Sequence, residues 1–230
     1  MNRYETITFV YNEEFLLPYY FKHYDFVDRF NIIYDFDSSD KTLKILRTNN
    51  KVNIVFFKFP DLMDDNLKVD FINQIYAGLT DTWVLNVDTD EFIFIDNDPI
   101  SNINSVALTH VFRHTTDKDL DLHKSIKEQR RYGFLDPHYT KPIVVKSGLD
   151  IKWEVGNHNL KGISKPPAEY EGAHWANADL CFCVKRRVVD RKERQSKHNL
   201  RAKLSTQHHN ITEDDVINYC KEHENDPRVW

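Results

Sequence analysis

The most informative stretch of this sequence is WVLNVDTDEF, residues 83–92. Its first part, Trp83–Val87, is an apolar run of the kind that forms a strand buried on both faces of a sheet. The run leads directly into Asp88, Asp90 and Glu91. Two carboxylates at positions i and i+2 that leave a buried strand can converge on one divalent cation, because Mg²⁺ and Mn²⁺ prefer oxygen ligands. The stretch therefore predicts a metal site at the end of a strand, with a solvated acidic turn as the other interpretation.

Upstream of this stretch, strand-like and helix-like segments alternate. Short apolar runs predict three further strands, at Thr6–Tyr11, Asn31–Phe36 and Val52–Phe57. The helical spacing of apolar residues predicts helices between the strands, at Glu13–Tyr24, after the turn Asp37–Asp40 and at Leu67–Leu79. Repetition of this kind implies right-handed βαβ units and a parallel sheet, so we predict an α/β fold.

Polar clusters follow three of the predicted strands. They are Asn12-Glu13, Asp37–Asp40 and Asp88–Glu91. In open α/β sheets, ligands bind beyond the carboxyl ends of the strands. The three clusters therefore predict one ligand site at a single rim of the sheet.

The composition limits the class of partner. The chain has 230 residues, of which 40% are hydrophobic and 29% charged, and a mean hydropathy of −0.61, as in soluble globular proteins. Residues 1–120 contain 11 Lys and Arg against 20 Asp and Glu, a net charge of −9, whereas residues 121–230 contain 20 against 16, a net charge of +4. Proteins that bind duplex nucleic acid usually have a dominant basic face, so we expect no nucleic-acid partner. An acidic half with a basic half suits a site that holds a metal on one side and an anion on the other.

The sequence also gives an expectation about location. No apolar run approaches the roughly 20 residues that a membrane-spanning helix needs, and the N-terminus lacks the layout of a signal peptide. The three cysteines, Cys181, Cys183 and Cys220, cannot all pair with one another, and their spacing is not that of a zinc site. These features predict a reduced, cytoplasmic setting.

The second half of the chain is less regular. Ser105–Arg113, Pro142–Lys146 and Leu180–Val184 are predicted strands, and the last of them leads into a basic, mobile loop. Thr212–His223 is predicted as an amphipathic helix that Thr212 caps. We find no internal repeat, low-complexity tract or flexible linker, and therefore predict one domain.

Several motifs in this order resemble a known family. They are VYNEE (10–14), DFDSSDKT (35–42), the stretch at 83–92, KPIV (141–144), Gly156-Asn157-His158, His174-Trp175, Phe182 and Lys185. The pattern, over roughly residues 4–200, resembles the GT-A glycosyltransferases of the family 2 type, and within them the branch whose D-x-D is followed by Glu-Phe. The resemblance implies a single GT-A-like, Rossmann-like domain over residues 1–230, with a central, mainly parallel sheet flanked by helices. It further implies a nucleotide-sugar-binding half at 1–100, an acceptor half with the basic loop at 101–205 and a C-terminal helix at 206–230.

The resemblance also implies a function. The chain is expected to be a hexosyltransferase-type enzyme of polysaccharide biosynthesis that uses Mn²⁺ or Mg²⁺. Its donor would be a nucleotide diphosphate sugar, with a UDP-sugar favoured, and its acceptor the hydroxyl of a glycan or of a lipid-linked glycan. The enzyme would be cytoplasmic and peripheral to the inner face of a membrane.

The resemblance assigns the metal to Asp88, Asp90 and His158, because a neutral imidazole can complete a Mn²⁺ site that carboxylates begin. The second acidic motif that usually supplies the catalytic base has no counterpart here. An inverting reaction still needs a carboxylate base. We predict Glu154 for this role, with Asp136 as the other choice.

Donor contacts are assigned to seven residues: Tyr11, Asn12, Glu13, Asp37, Lys68, Asp88 and Lys185. The residue types alone leave other interpretations open. Asn12 and Glu13 are also suited to capping a helix, and Lys68 has the alternative of an ordinary surface lysine.

The basic stretch at 185–203 has three interpretations. It is a lid whose Lys185 or Arg187 closes over the donor diphosphate, a patch that contacts anionic lipid, or a solvated helix face. Residues 181–203 contain nine Lys and Arg against Asp190 and Glu193. Hydrogen exchange with nucleotide or with anionic vesicles separates the three.

Two other functions use the same residues. One is a metal-dependent nucleotidyl or phosphoryl transferase, but the sequence has only six glycines and no G-x-G loop to hold a phosphate. The other is a catalytically degenerate GT-A domain that binds glycans. The intact D-x-D favours an enzyme over this module.

Overall fold

The computed structural model describes residues 2–191, 194, 196–201 and 210–230. Within them the strands are β1 (Tyr4–Val10), β2 (Arg29–Asp35), β3 (Val52–Phe57), β4 (Trp83–Asn86), β5 (Glu91–Phe94), β6 (Ile103–Phe112), β7 (Tyr132–Lys146) and β8 (Ala168–Asn177). The helices are α1 (Leu17–His23), α2 (Thr42–Leu46), α3 (Asp65–Ala77), α4 (Ile126–Gln129), α5 (Leu180–Val184), a π-helix (Lys185–Asp190), α6 (Lys197–Arg201) and α7 (Glu213–Glu222).

The eight described strands form one sheet in the order β3-β2-β1-β4-β7-β6-β8-β5. The strands β3, β2, β1 and β4 run parallel to one another, as the sequence predicts. Beyond them, β7 is antiparallel to both of its neighbours, β8 is parallel to β6, and β5 is antiparallel to β8. The predicted α/β class is confirmed, with a mixed sheet to which both halves of the chain contribute.

Apolar layers cover both faces of the sheet. On one face, Tyr20 of α1 packs with Ile32 of β2. On the other face, Ile72 of α3 packs with Ile33 of β2. Neighbouring residues of β2 therefore point to opposite layers, as the two-residue repeat of a strand requires. This burial on both faces explains why the strands of the first half have continuous apolar sequences.

Two predictions for the second half are wrong. Leu180–Val184, with its two cysteines, is the helix α5 and not a strand, because the Asp179 carboxylate accepts the N–H of Phe182 at 2.9 Å and caps a helix. Lys185–Asp190 is not a loop but a π-helix that continues α5. Part of the basic stretch, at 192, 193, 195, 202 and 203, lies outside the described residues.

Other predictions for the second half agree with the structure. The predicted strands at 105–113 and 142–146 fall on β6 and β7, and the predicted C-terminal helix is α7. Thr212 caps α7, since its hydroxyl accepts the N–H of Asp215 at 3.1 Å. In the part of the chain that the structure describes, no helix is long and apolar enough to span a membrane. The division into functional halves stays a prediction.

Candidate active site

The loops that follow β1 and β2 are joined at the carboxyl ends of these strands. Asn12 has a positive φ of 52°, a conformation that asparagine adopts more readily than most residues. This conformation accompanies a contact in which the Asn12 Oδ1 accepts the N–H of Ser39 at 2.8 Å. The Asn12 amide also donates to Asp190 of the π-helix at 3.2 Å. The π-helix is thereby held over the rim that the sequence predicts as the ligand site.

Asp88 lies between two lysines at the end of β4. The Lys68 Nζ is 3.4 Å from the Asp88 Oδ1, and the Lys141 Nζ is 3.9 Å from the Asp88 Oδ2. Burial alone would raise the pKa of Asp88, but the two ammonium groups outweigh it and lower that pKa to about 2. Asp88 is therefore ionised at neutral pH.

Glu91 and Lys141 form a buried ion pair beside Asp88. Both residues are almost fully buried, at 1% and 3% exposure. The second carboxylate oxygen of Glu91 accepts the backbone N–H of Asp88 at 3.0 Å. Glu91 thus fixes both the backbone at Asp88 and the lysine that faces it.

Asp90 is held by contacts from two other parts of the chain, at residues 174–175 and at Arg186. Its backbone carbonyl accepts the N–H of Trp175 at 2.7 Å. Its Oδ2 lies 2.5 Å from a guanidinium nitrogen of Arg186 and 3.3 Å from the His174 Nε2. Burial would raise the pKa of Asp90, but Arg186 and His174 hold it well below its usual range. Asp90 is therefore a buried, ionised carboxylate that already contacts a cation.

Arg186 joins the ends of β1 and β4. While one of its nitrogens contacts Asp90, another lies 3.0 Å from the Oε1 of Glu13. Burial raises the pKa of Glu13 to about 7, because the effect of burial is larger than the opposing effect of the Arg186 charge. The guanidinium therefore lies between two carboxylates, in a position that a cation favours.

A pair of histidines extends from Asp90 into the second half of the sheet. The Nδ1 atoms of His174 and His110 are 3.0 Å apart, so one ring must donate to the other. Burial lowers the pKa of His110 to about 3, and this ring is neutral at physiological pH. The described contacts thus form a chain from Asp90 through His174 to His110.

Two cavities meet at Asp88. The first has a volume of about 200 Å³ and is lined by Phe9, Tyr11, Glu13, Met63, Asp65, Lys68, Asp88, Tyr139, Lys141, Gly156, His158, Arg186, Asp190, Arg191 and Arg194. The second has a volume of about 340 Å³ and is lined by Asp88, Asp90, Glu91, His110, Phe134, Asp136, Tyr139, Lys141, His174, Ala176, Arg187, Arg191, Ile211 and Tyr219. Both cavities are lined by Asp88, Tyr139, Lys141 and Arg191, so the cavities adjoin each other at these four residues.

The first cavity brings together half of the ten site residues that the sequence predicts. Tyr11, Glu13, Lys68, Asp88 and His158 all line it. Asp90 lines the second cavity instead. Of the three predicted metal ligands, His158 thus lines only the first cavity, Asp90 only the second, and Asp88 both. Burial lowers the pKa of His158 to about 4, so its imidazole is neutral.

Four of the predicted site residues, all in the described part of the chain, lie outside both cavities, and Asn12, whose contacts are described above, is one of them. Asp37 forms a half-exposed ion pair with Lys58 at 3.1 Å. Lys185 is also half-exposed and pairs with Asp190 at 2.8 Å. Glu154 is an exposed residue, whereas Asp136 lines the second cavity.

Several site residues were not predicted. Arg194 is one, since its guanidinium pairs with Asp35 and lies 3.4 Å from the centre of the Tyr11 ring. Arg186 is another, because it is 96 residues away from Asp90 and nothing local marks the contact. For Lys141, by contrast, the sequence does contain a feature that indicates a buried ion pair. A lysine that begins the apolar run PIVV is buried with it, and a buried ammonium group needs a carboxylate partner.

Comparison with known proteins finds distant likenesses of fold. S. aureus TarS 1-349 has a TM-score of 0.39 and 17% sequence identity, with 76% of this chain and 61% of that chain covered. TarS 1-349 in complex with UDP has a TM-score of 0.39 and 14% identity, with 96% and 88% covered. HddC from Yersinia pseudotuberculosis has a TM-score of 0.29 and 11% identity, with 63% and 74% covered.

The first of these alignments spans about three fifths of the TarS 1-349 chain. No protein-family model matches the sequence, and no curated protein matches it. Likenesses at these scores assign no function, which therefore has to be inferred from the residues of the site itself.

Proposed function

We propose that this chain is a glycosyltransferase that takes its sugar from a nucleotide diphosphate sugar. The observation that carries the proposal is the first cavity. It opens beyond the carboxyl ends of β1 and β4, where α/β sheets bind ligands. Lys68 and Lys141 face Asp88 in this cavity, and Arg191 and Arg194 line it with them. Ammonium and guanidinium groups at this density suit a diphosphate, which accepts charge-assisted hydrogen bonds.

A divalent cation, Mn²⁺ or Mg²⁺, is part of the proposal, with Asp88 and Asp90 as its ligands. The described residues contain no group of three His, Cys, Asp or Glu side chains that could hold a metal by themselves. Mg²⁺ is commonly bound by one or two carboxylates together with phosphates of the substrate, so two ionised aspartates beside a phosphate cavity fit such an ion. The Arg186 guanidinium supports this fit, since it already places a positive charge beside the Oδ2 of Asp90, one of the two proposed ligands. When bound, the cation would neutralise charge on the leaving diphosphate.

The chain's own residues supply the remaining chemistry in this proposal. Lys68 and Lys141 bind the diphosphate and stabilise the charge that develops as it leaves. The acceptor hydroxyl enters the second cavity, which adjoins the first at the shared residues. If the reaction inverts, Asp136 is better placed than Glu154 to take the proton of that hydroxyl, because Asp136 lines this cavity. The finer parts of the proposed function stay predictions. They are a UDP-sugar as the donor, a hexosyl group as the group transferred, a glycan or lipid-linked glycan as the acceptor, and membrane contact through residues 185–203.

Nucleotide binding tests the proposed function directly. Thermal unfolding is measured with UDP, GDP, CMP and TDP, each with and without Mn²⁺. We expect UDP with Mn²⁺ to raise the melting temperature most, since a ligand present at about 100 times its Kd stabilises the native state by about 2.7 kcal/mol. Lys68→Met should remove most of this shift. Lys58→Met is the matched control, because Lys58 pairs with the half-exposed Asp37 outside the cavity.

A protein that no nucleotide stabilises would contradict the proposal. A second measurement, the catalytic turnover of UDP-sugars, separates an enzyme from a glycan-binding module. Release of UDP from UDP-sugars in the presence of glycan acceptors is expected for the enzyme, whereas the module would bind glycans without releasing UDP.

Arg186→Gln is expected to raise the affinity for Mn²⁺ roughly tenfold, a change of about 1.4 kcal/mol. The reason is that the guanidinium contacts the Asp90 oxygen that the cation needs, so the two positive charges compete for it. Isothermal titration calorimetry with Mn²⁺ alone measures the effect. The control is Arg187→Gln, which removes the same charge from the neighbouring residue. The Arg187 guanidinium lies 5.5 Å from the centre of the Tyr219 ring. This variant should change the affinity for Mn²⁺ less than about twofold. Equal affinities of Arg186→Gln and the unmodified protein would contradict the competition.

A further inference from the structure

Arg130, between α4 and β7, is a buried arginine whose guanidinium is only partly hydrogen-bonded. Its side chain is 1% exposed. The Nε donates to the carbonyl of Ala178 at 2.5 Å, and the Nη1 donates to the carbonyls of Lys118 and Gln129 at 3.1 and 2.8 Å. The Nη2 is also buried, and it has no hydrogen-bond partner among the described residues. Two N–H groups of a charged side chain are therefore left without an acceptor, which is costly in a buried position.

The positive charge of Arg130 also lacks a close counterion. Among the described residues, the nearest carboxylate oxygen is the Oδ2 of Asp117, 3.9 Å from the Nη1 of Arg130. This distance is too long for a hydrogen bond. The same oxygen already accepts the backbone N–H of His114 at 2.9 Å. Because a buried cation is normally paired with an anion, the surroundings of Arg130 have room for one more negative group.

A surface cavity of about 260 Å³ lies beside Arg130. Four of its lining residues are basic and three are acidic. Of the described residues, none lines both this cavity and either cavity of the candidate active site. The lining residues are Thr116, Asp117, Lys118, Asp119, Lys124, Glu128, Gln129, Arg130, Arg131 and Tyr132.

The acidic groups of this cavity have partners within the protein, whereas two of its lysines do not. Asp119 forms an ion pair with Arg113 at 2.8 Å. Glu128 completes the capping box of α4, in which it accepts the backbone N–H of the N-cap residue at 2.9 Å. Lys118 and Lys124 are exposed, and neither forms an ion pair with a carboxylate in the described part of the chain. The cavity therefore has positive groups available for a ligand.

We propose that this cavity binds a doubly charged oxyanion, either inorganic phosphate or the phosphate group of a monoester. Its oxygens would accept the unpaired N–H groups of Arg130 and the ammonium groups of Lys118 and Lys124. Guanidinium and ammonium groups bind phosphate through charge-assisted hydrogen bonds, and both are donors only. The buried, incompletely paired guanidinium beside a basic cavity carries this proposal. It does not depend on the proposed glycosyltransferase function.

The proposed anion site is connected to the helix that leads to the candidate active site. The carbonyl that accepts the Nε of Arg130 belongs to Ala178, and the next residue, Asp179, caps α5. α5 continues directly into the π-helix, from which Arg186 contacts Asp90. A bound anion would therefore hold the guanidinium that anchors the start of this segment.

Hydrogen exchange on the full chain with inorganic phosphate locates the binding site. We expect phosphate to protect amides within residues 114–132, and to do so equally in the Lys68→Met variant. That variant removes a cation of the first cavity, which is proposed to bind a diphosphate, and so it separates the two sites. A second arm replaces phosphate with methyl phosphate. Stronger protection by methyl phosphate identifies a phosphomonoester as the ligand, and equal protection identifies free phosphate.

Titration calorimetry with inorganic phosphate, carried out in the Lys68→Met chain, tests the individual groups. Lys118→Met combined with Lys124→Met should weaken phosphate binding roughly tenfold, because two charge-assisted hydrogen bonds are lost. Lys127→Met is the matched control, since the Lys127 ammonium lies 4.0 Å from the centre of the Phe94 ring and outside the cavity. It should change the affinity less than about twofold.

Arg130→Lys keeps the positive charge but removes the unpaired N–H groups, and should also weaken phosphate binding roughly tenfold. Circular dichroism establishes that each variant is folded. If Arg130→Lys is unfolded, the double lysine variant decides, because both of its lysines are exposed.

Three results would overturn the proposal. The first is a hydrogen-exchange pattern without protection in residues 114–132. The second is protection that disappears when Lys68→Met is introduced, which would place the phosphate in the first cavity. The third is a double lysine variant that binds phosphate as tightly as Lys127→Met.

Discussion

Asp90→Asn is expected to weaken the Mn²⁺-dependent binding of UDP about a hundredfold, a change of about 2.8 kcal/mol. The amide has the size of the carboxylate but lacks the negative charge that a divalent cation requires. Titration calorimetry with UDP, in the presence and absence of Mn²⁺, measures the loss.

The fold of this variant should be retained, because the backbone carbonyl of residue 90 still accepts the N–H of Trp175. Asp90→Ala is expected to lose stability as well, since Asp90 is buried and its removal leaves Arg186 with Glu13 as its remaining acidic contact. Asp119→Asn removes the same charge from an exposed position and is the control. An Asp90→Asn protein that binds UDP as well as the unmodified chain in Mn²⁺ would contradict the assignment of Asp90 to the cation.

Lys141→Met is expected to lower the free energy of unfolding by about 3–5 kcal/mol, the usual effect of removing one partner from a buried ion pair. The change leaves the Glu91 carboxylate, which is 1% exposed, without the ammonium group that neutralises it. Urea unfolding followed by circular dichroism measures the difference.

Two further variants make this result specific. Lys146→Met, on the same strand, replaces a partly exposed lysine that lies 5.1 Å from the centre of the Trp83 ring, and should cost less than about 1 kcal/mol. Glu91→Gln combined with Lys141→Met should recover part of the loss, because no buried charge then remains unpaired. If Lys141→Met and Lys146→Met unfold at the same urea concentration, the buried pair does not stabilise the fold.

The parallel half of the sheet could be predicted because its signals are local. Each strand there is a short apolar run, and each polar cluster follows its strand directly along the chain. The segment LCFCV at 180–184 shows the limit of this approach. Five mostly apolar residues fit a strand and a buried helix equally well, and the deciding feature was the cap that Asp179 provides.

Of the charged groups at the candidate site, the acidic ones and Lys68 could be predicted from the sequence. Asp88 and Asp90 are visible because a strand precedes them in the sequence. Their cationic partners come from distant segments, with Lys141 on β7 and Arg186 on the π-helix. The placement of Asp90 and His158 in different cavities is likewise a result of tertiary packing, since the residues that the two cavities share come from both halves of the chain.

The path of the chain between β4 and β5 also bears on how the protein folds. These strands are consecutive in the sequence, with Asp88 and Asp90 between them, yet they occupy the fourth and eighth places of the sheet. β5 finds its partner only when β8 arrives, a pairing that joins Glu91 to His174. Pairings so distant along the chain form slowly, on a scale of roughly milliseconds to seconds in sheet proteins. The two aspartates therefore gain their final neighbours late in folding, and binding of the proposed cation would report that the whole sheet has closed.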